Sequence, residues 1–121
     1  MSDSSGNWFG KLFKKVSQQD PGVAPKPIPE LDPRDVAAWN NKGVSLDNLS
    51  RNEEAIRCHD KALELDPRQA AAWINKALAE DKVSHWREAA LSYQQFLALA
   101  PVQQYTKQIE YAHKRLRELG G

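Results

Sequence analysis

The feature that most constrains this chain is a period. Leu31-Asp32-Pro33-Arg34 recurs 34 residues later as Leu65-Asp66-Pro67-Arg68. Ala37-Ala38-Trp39 recurs as Ala71-Ala72-Trp73, Asn41-Lys42 as Asn75-Lys76, and Glu54-Ala55 as Glu88-Ala89. A third, degraded opening follows as Leu99-Ala100-Pro101. Aligned without gaps, residues 31–64 and 65–98 agree at 14 of 34 positions. A fixed period of this length marks stacked helical units, none of which can bury its apolar face alone.

Each unit reads as two helices. Trp39, Gly43 and Leu46 share one helical face, and the polar run Asp47 to Asn52 supplies the turn. Ser50 with Glu53 has the form of a capping box for the second helix. That helix carries Ala55, Ile56, His59, Ala62 and Leu63 as its apolar stripe. In the second unit, Trp73, Ala77 and Leu78 line the first helix. Trp86, Ala89, Ala90, Tyr93, Phe96 and Leu97 line the second. Gly43 and Ala77 occupy one repeat position, and Ala55 and Ala89 another. Small residues there let paired helices approach closely, and a larger side chain would overpack them at roughly 1–3 kcal/mol. Tyr105, Ile109, Ala112, Leu116 and Leu119 then follow the period of one amphipathic helix. Lys107, Glu110, Lys114, Arg115, Arg117 and Glu118 make its polar side, as a terminal cap requires.

These residues resemble the tetratricopeptide repeat. Trp39, Gly43, Leu46, Ala55, Ala62 and Pro67 fill that family's positions in the first repeat, with His59 in the aromatic place. Trp73, Ala77, Ala89, Tyr93 and Pro101 fill them in the second. Glu80 stands where an apolar residue is usual, and Phe96 where a small one is. The larger Phe96 implies that the second repeat meets something other than a standard third repeat. The expected fold is all-α, an α-solenoid of helix–turn–helix repeats with a capping helix. Residues 31–121 form the domain, with repeats at about 36–69 and 70–103 and the cap at about 103–119.

The resemblance implies a non-catalytic protein–protein interaction module. Partner segments are expected along the first helices, at Asn40, Val44, Asp47 and Asn48, then Ile74, Leu78, Asp81 and Lys82. Thr106, Glu110, His113 and Lys114 continue that line in the last helix. Chaperone-binding members clamp a C-terminal carboxylate with Lys and Asn on the first helices. Here the matching places hold Asn40 and Val44, and Asn75 recurs as Asn41, which suits a structural role. Binding of chaperone C-terminal tails is not expected. Self-association through apolar faces around Phe96 and the last helix is a minor reading.

Residues 1–19 carry a second feature. As a helix, Trp8, Phe9, Leu12, Phe13 and Val16 form one apolar stripe, with Lys11, Lys14 and Lys15 off it. Ordering the backbone costs about 1–2 kcal/mol per residue, so such a segment folds best on a surface. It is expected to dock onto a partner protein or larger complex, as an adaptor or assembly factor would. The alternative is a peripheral membrane protein that binds anionic lipid through this basic aromatic segment. A third reading, folding back onto the repeats, is weakened by the linker at 20–30. Five of the seven prolines lie between 21 and 33, which favours an extended, semi-rigid spacer.

Other chemistry is not indicated. The net charge is +1, with 17 basic and 16 acidic residues, and basic and acidic residues balance from Leu31 onward. Nucleic acid is therefore not an expected partner. The lone Cys58 suits a reducing, cytoplasmic setting. Cys58, His59, His85 and His113 lack metal-ligand spacing. No phosphate loop or nucleophile elbow is present, so neither enzyme activity, cofactor nor metal is expected. The pairs Glu53-Glu54 and Glu80-Asp81 read as solvated helix faces.

Overall fold

The computed structural model describes residues 32–120, and these form five α-helices without a strand. They are α1 (Val36–Asn48), α2 (Asn52–Leu65), α3 (Ala70–Lys82), α4 (Trp86–Leu99) and α5 (Thr106–Glu118). The segments 1–19 and 20–30 lie outside the described residues. α1 pairs with α2 and α3 with α4; α3 also packs on α2 and, more lightly, on α1, and α5 closes on α4. This is the expected helical solenoid.

Both repeats open in the same way. The Asp32 carboxylate accepts the Arg34 N–H at 2.9 Å, and Asp66 accepts that of Arg68 at 3.1 Å. These bonds turn the chain at Pro33 and Pro67. The Trp39 indole N–H donates to the Pro33 carbonyl at 3.1 Å, and that of Trp73 to Pro67 at 2.8 Å. The recurring Asp-Pro and Trp therefore lock each entry turn to the first turn of its helix. Asp35 also caps α1, accepting from the Ala38 N–H at 3.0 Å.

The turn inside each repeat departs from the expected capping box. Arg51, not Ser50, is the N-cap of α2, and no side chain caps that helix. Ser50 has φ 62° and Ser84, one period on, φ 63°. Their N–H groups bond to the Asp47 and Asp81 carbonyls, and those of Arg51 and His85 to Leu46 and Glu80. These serines are the left-handed residues just past the C-caps Leu49 and Val83, and the turn they form satisfies the last carbonyls of α1 and α3. A capping-box serine needs extended backbone, which a left-handed residue does not have. Arg51 instead pairs with Glu54, which lies in the first turn of α2.

The main core joins α3, α4 and α5 through Ala70, Ile74, Ala77, Ala89, Tyr93, Phe96, Ala112 and Leu116. Trp73 packs against this cluster and also against Ala62, Leu63 and Ala72, so it links the two repeats. Phe96 is fully buried and meets Tyr105 edge to face, with ring centroids 5.4 Å apart. Its burial contributes roughly 1.5–3 kcal/mol. It therefore offers no face for self-association; it fills the space beneath the cap. Trp86 departs from its expected place in the core stripe and is 49% exposed at the start of α4.

Candidate functional site

α3 and α5 form a groove. Ile74 and Leu78 from α3 and Lys107, Gln108 and Tyr111 from α5 line a hollow of about 320 Å³. A second hollow, about 200 Å³, adjoins it and is lined by Leu78, Asp81, Lys82, Tyr111 and Arg115. Leu78 and Tyr111 belong to both. Tyr111 is held by an edge contact with Tyr93, at 6.2 Å between ring centroids.

Asp81 is the electrostatic centre of the groove. Arg115 donates to its two oxygens from Nε and Nη2, each at 2.7 Å, and the Tyr93 hydroxyl donates at 2.8 Å. Burial alone would raise the Asp81 carboxyl, but these bonds and the guanidinium charge hold it below its usual value. Burial and the bond to Asp81 push the Tyr93 phenol far above its usual range. Its bonds to Asp81 and Glu118 raise Arg115. Asp81 is thus neutralised from within. Lys82 and Lys107 are exposed and have no ion-pair partner among the described residues. The free charge of the groove is positive.

The residues expected to face a partner fall into distinct settings. Ile74 is buried and forms part of the floor, Leu78 is half-buried, and Lys82 is exposed. Val44 and Asn48 are exposed on α1 but line neither hollow. Asn40 and Asp47 are engaged within the fold, Asn40 bridging to the second repeat. The Asn40 Oδ1 accepts from Asn75 Nδ2 at 3.2 Å and lies 2.8 Å from His59 Nδ1. Asp47 accepts from Asn52 Nδ2 at 2.7 Å and lies 3.3 Å from His59 Nε2. The docking residues Trp8, Phe9, Lys11, Leu12, Phe13, Lys14, Lys15 and Val16 lie outside the described residues.

On α5 the hollows are lined by a different flank from the one expected to face a partner. Lys107, Gln108, Tyr111 and Arg115 face α3, whereas Thr106, Glu110, His113 and Lys114 are exposed and line neither hollow. Arg115, expected on the outer polar side, is the residue that bridges to Asp81. The aromatic Tyr111 beside the apolar stripe was the sequence signal for this face.

The expectation of a solvated Glu80-Asp81 pair is also corrected. Glu80 is 3% exposed, and the Ser92 hydroxyl donates to its Oε1 at 2.7 Å. Burial pushes its carboxyl above the usual range, against the pull of Ser92 and Lys76. Lys76 Nζ lies 3.9 Å from Glu80 and 2.7 Å from Asp60 on α2. This polar cluster ties the repeats together where the family pattern has an apolar contact.

Reactive groups are muted. Burial raises the Cys58 thiol, which weakens it as a nucleophile. No group of three His, Cys, Asp or Glu residues could hold a metal among the described residues. None of the described helices is long and apolar enough to cross a membrane.

Residues 36–69 match the family description of the tetratricopeptide repeat. Among solved structures, the chain is similar to the TPR2B domain of yeast Sti1 in its pHsp70 complex. The two are 22% identical, with 74% of this chain and 71% of that chain covered and a TM-score of 0.65. No curated protein matches. The matched repeat, its second copy one period on and the stacked helix pairs agree, and together they support a tetratricopeptide-type repeat fold.

Proposed function

We propose that this chain is a non-catalytic protein–protein interaction module and that the α3–α5 groove holds a segment of its partner. The supporting observation is the pair Leu78 and Tyr111, shared by two adjoining hollows, with Lys82 and Lys107 at the rim and Asp81 neutralised by Arg115. Such a surface suits an apolar side chain flanked by carboxylates. Val44 and Asn48 extend the surface along α1. Chaperone C-terminal tails are a poor fit, because Asn75 is engaged with Asn40 rather than free to bind a carboxylate.

We further propose an adaptor or assembly factor of the cytoplasm. Its residues 1–19 dock onto a second protein or complex, and residues 20–30 act as the spacer. Peripheral binding of anionic lipid by Lys11, Lys14 and Lys15 is the alternative, and failure of the full chain to float with anionic liposomes removes it. The main test is affinity capture with three proteins: the full chain, a Lys107→Glu/Tyr111→Ser variant, and a chain lacking residues 1–19. Loss of one partner in the groove variant and of another on truncation is the expected result. Identical partner sets from all three would overturn the reading.

A further inference from the structure

We propose that the open face of the first repeat is a second docking site, which takes an acidic amphipathic helix of a partner protein. This goes beyond the α3–α5 groove and does not depend on it.

The repeat itself supplies the template. The two units correspond position for position, and in the second unit this face is covered by α2. There Ala72 and Ala79 are fully buried. Their counterparts in the first unit are Ala38, half-buried, and Ser45, exposed. Lys76 meets Asp60 of α2 at 2.7 Å, whereas its counterpart Lys42 is exposed and has no carboxylate partner among the described residues. His85 lies 3.8 Å from Glu53 of α2, and its counterpart is Arg51. Leu63 of α2 packs with Ala72. The covering helix thus presents Glu53, Ile56, Asp60 and Leu63 in one stripe, acidic and apolar residues alternating at spacings of three and four.

The open face matches that stripe. A hollow of about 380 Å³ is bounded by Trp39, Leu46 and Cys58 and ringed by Lys42, Arg57 and Lys61, with the Arg51–Glu54 pair at one end. Arg51 pairs with Glu54 and Lys61 with Glu64, whereas Lys42 and Arg57 have no ion-pair partner among the described residues, and this remaining positive charge favours an acidic occupant. A second copy stacked end to end fits worse. The exposed side of α5 mixes Lys107, Lys114 and Arg117 with Glu110 and Glu118, and Lys114 already pairs with Glu118, so it lacks the acidic and apolar stripe that α2 presents.

The probe is a labelled peptide of this chain's residues 51–66, the α2 sequence, added to the full-length protein. Binding is read by fluorescence anisotropy and by amide shifts. Saturable binding is expected, with shifts at Ala38, Lys42 and Ser45. Lys42→Glu should weaken it about tenfold, and an Asp60→Lys peptide should recover affinity for that variant only. Because Lys42 is exposed, the variant's helix content should not change. No binding at millimolar peptide, or an affinity indifferent to Lys42→Glu, overturns the proposal. So do shifts at Ala72 and Lys76, which would mean displacement of α2. Concentration-dependent self-association abolished by Lys42→Glu overturns it in favour of a second copy.

Discussion

Arg115 grips Asp81 across 34 positions, one full repeat, with two nitrogens each 2.7 Å from a carboxylate oxygen. This pair fastens the capping helix to the second repeat. Arg115→Ala leaves Asp81 with only the Tyr93 hydroxyl and should cost about 2–3 kcal/mol. In a stacked fold the loss is local. Hydrogen exchange should therefore quicken in Ile109–Leu116 and leave α2 unchanged. Equal acceleration in both helices would argue against this account.

Gly43→Ala tests the close approach inside the first repeat. A Cβ at Gly43 would lie 2.5 Å from His59 Cε1, and His59 is fully buried with both ring nitrogens occupied. Alanine gains about 1 kcal/mol in helix propensity, but overpacking costs roughly 1–3 kcal/mol. Net destabilisation is expected in urea unfolding. His59→Ala in the same background should relieve the clash and make the two changes strongly non-additive.

Glu80→Gln should leave stability at neutral pH unchanged or raise it by about 1 kcal/mol. The Glu80 pKa is raised by burial, so its ionisation is harder in the fold than in the unfolded chain. Its contribution therefore falls as pH rises above the ordinary glutamate value of about 4.3. Glutamine keeps an acceptor for Ser92 without that charge, and Lys76 keeps Asp60. The difference between variant and wild type should widen from pH 4 to 7 in thermal melts. A clear loss of stability would mean that attraction to Lys76 outweighs burial.

His59 sets an acid limit. Burial lowers its pKa, against the opposing pull of Asp47. A lowered histidine pKa gives stability that is full above the unfolded value of about 6.5 and is lost as pH falls toward the folded one. The melting temperature should therefore drop on acidification below about pH 6.5. His59→Tyr, which copies the Tyr93 to Asp81 bond one period earlier, should remove that drop. An unchanged pH profile would sink the assignment.

The groove was only half legible in the sequence. Ile74, Leu78 and Lys82 follow from the repeat register, because α3 is an ordinary first helix. α5 has no copy elsewhere in the chain, so no period fixed its rotation. Its apolar stripe located the buried side but not which polar flank would turn toward α3. Glu80 and Asp81 misled for a related reason. A carboxylate reads as solvated unless its partner is known, and Ser92 and Arg115 lie 12 and 34 positions away. The Ser50–Glu53 pattern failed because a left-handed turn satisfied the end of α1 before a cap on α2 could form.

By itself the sequence determined the period, the helix pairs, the small residues at helix contacts and the Asp-Pro-to-Trp spacing. These are local or strictly repeated features, so each copy reports on the other. The tertiary structure alone decided which charges are spent inside the fold. Asp47 and Asp81 are consumed by His59, Tyr93 and Arg115, while Lys42, Lys82 and Lys107 stay open. That outcome rests on side chains from different helices meeting at hydrogen-bonding distance, where direction and burial, rather than residue type, set which groups remain free to bind.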